Sequence, residues 1–454
     1  MRKRYPIDIA LNDQLVVFCP PEIVKDRQIE KIAFGTQAVE ARFMPHPEKK
    51  NRIVISKKLS ELLHFPNFNI PLHAFFDYKT LVIGPLIGIF TSGFTPFPLQ
   101  PIGERSYFFT KLLSVKKSVG ALPFVFGEQH IDWDQGLIKG HFYHQNQWET
   151  VEVPFPNVVY DRLPNRKSER KPSLKQVKDR MQKEYLIPWY NPGFFNKQDV
   201  YDRLQQESAV GNYLPETHPF TSFSAIEAML STFGHVYIKP NNGSLGIGVH
   251  QILYDKNENS YFCRYRDPDG TNRLRKFSSL ESLFKIVFAK RKLDTMLVQQ
   301  GIHLLKLDGR SIDFRVHTNK DDAGNWHVTA IAAKVAGSGS VTTHVRSGGE
   351  IKTLAEIFPS EERKLYTDKL TTASLLLSEA LEKNMEGIIG EIGFDLGIDK
   401  NGDVWLFEAN SKPGRSIFKH PDLKEFDLLT RKLSIAFAVF LTEQVILYPE
   451  ELFK

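Results

Sequence analysis

Three short stretches of this chain carry residue types that can bind and move a phosphoryl group. The first is GEIGFDLGIDKNGDVWLFEANSKPGR, residues 390–415. Asn401-Gly402 stands between two alternating apolar runs, a strong hairpin signal. With those two residues as the loop, Asp395 lies directly opposite Glu408, and Asn410 opposite Gly393 on the same face. Two carboxylates so placed repel. A divalent cation between them removes the conflict, and hard oxygen ligands suit magnesium. Gly393 and Gly397 clear that face of side chains, as a closely approaching ligand requires. An exposed sheet face with two solvated carboxylates has the same spacing.

The second stretch is VYIKPNNGSLGIGV, residues 236–249. Lys239 ends a strand, and Gly243, Gly246 and Gly248 form a loop that returns to another strand. Backbone N–H groups of such a loop can fold over phosphates, with the lysine as a point charge. It is neither a Walker loop, which needs GKS or GKT, nor a dinucleotide fingerprint, which needs a following helix. A plain glycine-rich turn also fits. The third stretch is GRSIDFR, residues 309–315. Asp313 and Arg315 share one strand face. With residues 321–324 as a loop, Lys334 faces Ser311, beside Asp313; a slip of one residue turns it away. Arg, Lys and Asp on one face can grip a transferring phosphoryl group. They also suit a surface charge ladder.

The elements that must hold these groups follow from periodicity. From Ser222 the pattern reads helix, strand 235–239, glycine loop, strand 249–254, helix 280–290 and strand 295–300. Two hairpins follow, separated by helix 365–384, and a last helix covers 428–440. Asn196 is a suitable N-cap for a helix that begins Lys197-Gln198-Asp199. Upstream, residues 1–100 read as a small β-rich domain, with strands at 15–18, 52–56 and 80–83 and a helix at 57–63. Pro96, Pro98 and Pro101 make a stiff linker. Residues 101–184 read as an α/β lobe, opened by an amphipathic helix over 104–119 and continued by strands at 122–126, 137–143 and 158–161. Residues 185–454 form the third part.

Composition agrees with three such parts. The chain has 454 residues, 41% hydrophobic and 25% charged. That is about three domains at ~150 residues each. Cys19 and Cys263 are the only two cysteines, too few for a disulfide framework or a CxxC zinc site. The basic N-terminus lacks the apolar stretch of a signal peptide. The most apolar run, residues 81–90, is too short to span a bilayer. These features lead us to expect a soluble cytoplasmic protein with no membrane span. Residues 162–183 hold nine Lys/Arg and two Asp/Glu, a net of +7, so the rest of the chain nets −1 against the total of +6. The run contains no aromatic residue for base stacking, so no nucleic-acid partner is expected. It suits either a solvated loop entering a helix or a clamp for an anionic partner.

Read in order, these motifs resemble the ATP-grasp superfamily over roughly residues 185–445. They are a lysine before a helix, a lysine before a glycine loop, a strand ending in a polar-polar-Gly-Ile hinge, an Asp-x-Arg strand and an Asp…Glu-x-Asn set. The N-terminal sequence, with IGPLIGIFT at residues 83–91, looks like the YheC/YheD endospore coat-associated family of spore-forming bacteria. The resemblance implies an α/β (α+β) ATP-grasp fold of two α+β lobes, preceded by the β-rich domain and the α/β lobe. It implies ATP and Mg2+ as ligands. Lys197 and Lys239 would lie near the α- and β-phosphates, with Ser244 and Gly246 in the loop above them. Gln299, Gln300 and Ile302 match the adenine hinge, with Gln299 where many relatives carry glutamate. Asp395, Glu408 and Asn410 match the metal ligands and Arg315 the γ-phosphate arginine. Lys334 stands where relatives often have arginine, and Arg415 joins these two as a catalytic candidate. His344 and Arg346 fall in a loop expected near the acceptor. The implied activity is ATP-dependent carboxylate–amine ligation, with an amino acid or peptide as acceptor. The other reading is a spore-coat assembly factor that binds ATP without turnover, kept in the mother cell at the forespore surface and partnered by coat proteins.

Overall fold

The computed structural model describes residues 3–25, 27–241, 246–289 and 291–452. Pro85 divides the most apolar run into two strands, Thr80–Gly84 and Leu86–Phe90, which enter different sheets. Thr80–Gly84 belongs to a five-stranded sheet that, with a four-stranded sheet, builds the N-terminal region. Leu86–Phe90 instead lies parallel to both Leu122–Phe126 and Val158–Asp161, at the centre of a seven-stranded sheet. All five of its residues are buried, as expected of a parallel strand covered on both faces. The sheet therefore changes at Pro85, well before the proline-rich segment. One core joins the two regions, with Phe34 packing in the same cluster as Phe90, Phe124 and Trp189.

The basic segment is mostly helical, as Arg166–Glu169 and Pro172–Lys183. Trp189–Tyr190 then adds a last parallel strand to the seven-stranded sheet. Asn196 caps the next helix, Lys197–Leu204, by accepting from the Asp199 N–H at 3.1 Å.

A six-stranded sheet follows, in the order Thr217–Pro219, Met296–Gln300, His235–Pro240, His250–Asp255, Ser260–Arg266, Asn272–Phe277. The last two strands were not expected. Asn272–Phe277 is an edge strand exposed at Arg273, Leu274, Arg275 and Lys276, so its sequence shows no alternation. Helices Phe223–Phe233 and Leu280–Val287 cover one face, where Val236, Ile238, Ile252, Cys263 and Val298 form the core. On the other face Tyr201, from helix Lys197–Leu204, meets Gln299 and Lys239. There the register sets Gln299, Tyr237, Gln251 and Arg264 in one row, with Lys239 beside it. Cys263 and Cys19 are buried free thiols, each pushed up to about 12 by burial.

The last sheet runs Glu350–Lys352, Trp326–Val335, Arg310–Lys320, Glu391–Ile398, Val404–Asn410. Helix Ser360–Asn384 packs Leu370, Leu377 and Leu381 against Ile312, Phe314, Phe394 and Leu396. Its first turn holds Glu361 and Glu362, which hid its start from the apolar pattern. The opposite face divides between an apolar patch, where Ala330 and Ala332 pack on Ile417, Phe418 and Leu423, and the polar residues of the site. Helix Lys424–Leu447, followed by the short helix Pro449–Leu452, sends Ile435, Phe437 and Val439 into the core of the seven-stranded sheet. Among the described residues no helix is long and apolar enough to cross a membrane.

Candidate functional site

The acidic hairpin pairs Asp395 with Glu408 and Gly393 with Asn410, as the sequence predicts. It reaches that register by another route. Asp399 and Asp403 close the turn around three residues, with the Asp399 N–H donating to Asp403 O at 3.0 Å. A bulge then leaves Phe407 without a partner and restores the pairing at Glu408. Bulges re-aim groups beside functional sites. Here the Phe407 carbonyl accepts from Lys239 Nζ at 3.3 Å and from Tyr201 Oη at 3.3 Å. The two glycines do not clear space for a ligand. A Cβ at Gly393 would lie 2.4 Å from Pro413 and 3.2 Å from the Arg315 guanidinium, and one at Gly397 2.6 Å from Leu304 and Phe407. They admit protein side chains.

Asp395 is gripped by cations. Arg315 donates to it through Nε at 3.0 Å and Nη2 at 2.9 Å, and Lys334 Nζ at 2.7 Å. Lys334 also pairs with Asp313 at 2.8 Å, and Thr343 Oγ1 donates to Asp313 at 2.5 Å. Lys334 thus sits opposite Asp313, not Ser311. The hairpin loop is one residue longer than expected, with Lys320 paired to Trp326, and a bulge at Thr329 adds a second offset. Two offsets in one direction keep the face, so the cluster assembles despite the wrong register. Burial works against the Asp395 carboxylate, but Arg315 and Lys334 hold it well below the usual carboxylate range. Burial also lowers Lys334, and Asp313 and Asp395 more than offset this, leaving it raised.

Two lysines reach the hairpin from the other side. Lys197 lies 3.6 Å from Glu408. Lys239 is buried and donates to Gln299 Oε1 at 2.9 Å, with the Tyr201 ring 5.4 Å away. Burial first, and then Lys197, bring its pKa down to about 7, against a smaller opposing pull from Glu408. Gln299 Nε2 donates to Tyr201 Oη at 2.7 Å and to Thr217 Oγ1 at 2.9 Å, so its oxygen must face the lysine. The Gln300 N–H donates to Glu216 O at 2.8 Å, and Ile302 O accepts from Leu304 N at 3.1 Å. Tyr201 and Thr217 carry no motif and were missed; their role is visible only in the fold.

Ser244 lies outside the described residues, as does the side chain of Arg346. Gly246 adopts φ +70°, and a Cβ there would lie 2.9 Å from Thr342 Oγ1, so Gly246 itself rests on the 337–349 segment. Arg266 Nη1 donates to Ser347 at 3.0 Å and Asn272 to Ser338 O at 3.1 Å, tying the last two strands of the six-stranded sheet to the same segment. The His344 carbonyl accepts from Ser347 N at 2.8 Å, at the head of a short turn. Arg415 stands apart: it pairs with Asp427 at 3.2 Å and Glu391 at 3.6 Å, not with Asp395 or Glu408.

The oxygen set of Asp395, Glu408 and Asn410 fits a hard cation such as magnesium. Asn410 Nδ2 leans on Gly393 O at 3.4 Å, so its amide oxygen is the atom that could face a cation. Among the described residues no three His, Cys, Asp or Glu side chains gather as a metal cluster; the set has two carboxylates and one amide.

A profile of YheC/D-like ATP-grasp proteins matches residues 186–441. The endospore coat-associated protein YheD of Bacillus subtilis is 41% identical over 99% of this chain and 99% of its own length. The endospore coat-associated protein YheC of the same organism is 25% identical over 63% of this chain and 80% of its own. The crystal structure of D-alanine–D-alanine ligase from Bacillus anthracis complexed with ATP is 13% identical, covering 80% of this chain and all of that one, at a TM-score of 0.44.

Proposed function

The chain belongs to the YheC/D-like ATP-grasp family, and on that premise we propose that it is an ADP-forming carboxylate–amine ligase. One observation carries the reading. Lys197, Lys239, Arg315 and Lys334 all touch the acidic hairpin, at Glu408, the Phe407 carbonyl and Asp395. Phosphate oxygens can replace each of those contacts. In the reaction, a substrate carboxylate oxygen attacks the γ-phosphorus and the bond to the departing ADP breaks. An amine then attacks the acyl carbonyl, phosphate leaves with the bonding pair, and the amine proton passes to solvent. The products are an amide, ADP and phosphate. The cations stabilise charge on the moving phosphoryl group, and no enzyme nucleophile is needed. Asp395, Glu408 and Asn410 would hold Mg2+, which when bound neutralises phosphate charge. An amino acid or peptide amine is the acceptor class we propose.

Millimolar Mg-ATP is expected to raise the melting temperature, because a ligand that binds only the folded state adds about 2.7 kcal/mol at a hundredfold excess over Kd. Glu408→Gln with Asn410→Ala should remove most of that shift. A wild-type melting curve that Mg-ATP leaves in place overturns the reading.

The coat-associated relatives favour a second reading, an ATP-binding assembly factor of the coat without turnover. The basic segment is its docking candidate. Arg166 is committed elsewhere, since it donates to Phe195 O and lies 5.4 Å over the Phe194 ring. Lys167, Arg170, Lys171 and Lys175 are exposed. Changing these four to glutamine should weaken capture at the coat in a salt-dependent way, over a Debye length of about 8 Å, and leave ATP affinity intact. Forespore localisation and ATP binding at two salt concentrations check this; unchanged localisation makes the segment a solvated helix.

A further inference from the structure

Asn191 has no solvent exposure and a backbone φ of +52°. Its side-chain amide uses every hydrogen-bonding capacity it has. Nδ2 donates to Glu391 O at 2.8 Å and to Ser411 O at 2.6 Å. Oδ1 accepts from Gly390 N at 3.0 Å and Glu391 N at 3.2 Å. Two carbonyls on one side and two N–H groups on the other fix the orientation of the amide. The backbone N–H of Asn191 also donates to Ile388 O at 2.8 Å.

These partners occupy both strands of the acidic hairpin at its open end. Glu391 begins the strand that carries Asp395, and Ser411 directly follows Asn410. One amide therefore spans the mouth of the hairpin. The chain leaving Asn191 is fastened to the same place: Ser411 Oγ accepts from Phe195 N at 3.3 Å and donates to Gly193 O at 2.5 Å. That chain continues to the Asn196 cap and Lys197, which meets Glu408. A fully satisfied buried polar group holds one geometry, because any shift leaves a buried donor or acceptor unpaired.

We propose that Asn191 is a positioning residue. It sets the strand separation at which Asp395, Glu408 and Asn410 converge. The inference rests on the magnesium- and ATP-binding reading above. Groups that orient a metal's ligands typically govern affinity by about 10–100-fold.

The test is calorimetric ATP binding to the full chain, with excess Mg2+ and with EDTA. Asn191→Gly keeps the left-handed backbone accessible and deletes the clip. Asn191→Asp keeps the volume and the acceptor oxygen but sets oxygen against the Glu391 and Ser411 carbonyls. It serves where the glycine variant does not fold. Either variant should lose about tenfold or more of the gain in affinity that Mg2+ confers, with metal-free binding unchanged. Hydrogen exchange on the ligand-free variant should quicken at Gly390, Glu391 and Phe195 and stay slow in Leu122–Phe126. Equal losses with and without metal would assign Asn191 a merely structural role and overturn the inference, as would an unchanged Mg2+ gain. Wild-type protein that fails to bind Mg-ATP overturns the function reading, and this inference with it.

Discussion

Lys239→Ala is expected to weaken ATP binding by ~30-fold, about 2 kcal/mol, the lower range for truncating one side of a buried charge contact. Among the described residues this lysine has only neutral acceptors, the Gln299 amide and the Phe407 carbonyl. Burial and the nearby Lys197 therefore leave its pKa at about 7. ATP phosphates bring the missing anion and raise that pKa. At pH 8 binding should take up close to one proton, and affinity should fall as pH rises above about 7. Folding carries the complementary sign. The unfolded lysine, at 10.5, keeps a proton that the folded one has lost, so the ligand-free protein gains stability as pH rises from about 7 toward 10.5. Titration calorimetry in two buffers of different ionisation enthalpy measures the uptake. Gln299→Glu places a carboxylate against the lysine, restores its proton and should flatten the pH dependence. Full uptake in Lys239→Ala would remove the lysine from this account.

The site was legible where it depends on local pattern. Asn401-Gly402 located one turn to within a residue, and the motif spacing put Asp395, Glu408 and Asn410 on one face. Bulges were not legible, because Phe407 and Thr329 look like ordinary strand residues. At Phe407 the bulge cancelled an error in loop length; at Thr329 it added to one. Both outcomes preserved the face, since strand side chains alternate with period two. Choice of partner was not legible at all. Nothing near Arg315 or Lys334 in sequence says that both close on Asp395. Arg415 shows the reverse case, close to Asn410 in the chain yet turned toward Asp427. The strand Asn272–Phe277 escaped because an exposed edge needs no apolar face. Asn191 escaped because a lone asparagine before a proline signals only a turn.

Arg315→Ala should reduce turnover by ~10²–10³-fold, the effect of removing one transition-state charge donor, while leaving Mg-ATP affinity nearly unchanged. The reason lies in the resting contacts. Arg315 is already paired through two hydrogen bonds with Asp395. ATP must exchange that anion for phosphate, so the bound ground state gains little from the arginine. Its gain comes as charge accumulates on the transferring group, and that gain appears in kcat. Removing Arg315 also relieves Asp395 of one competitor for the metal. Lys334→Ala should behave differently. Lys334 bridges Asp313 and Asp395 at 2.8 and 2.7 Å, both carboxylates largely but not fully buried. Its loss leaves two like charges with one fewer cation, and breaking a buried pair destabilises by about 3–5 kcal/mol. Lys334→Ala should therefore lower the melting temperature first, whereas Arg315→Ala should melt closer to wild type and fail in ADP release. Melting curves and ADP release with a panel of amino-acid acceptors separate the two. Equal losses of ATP affinity in both variants, with no separate loss of turnover, would mean that Arg315 binds phosphate in the ground state as the lysines do.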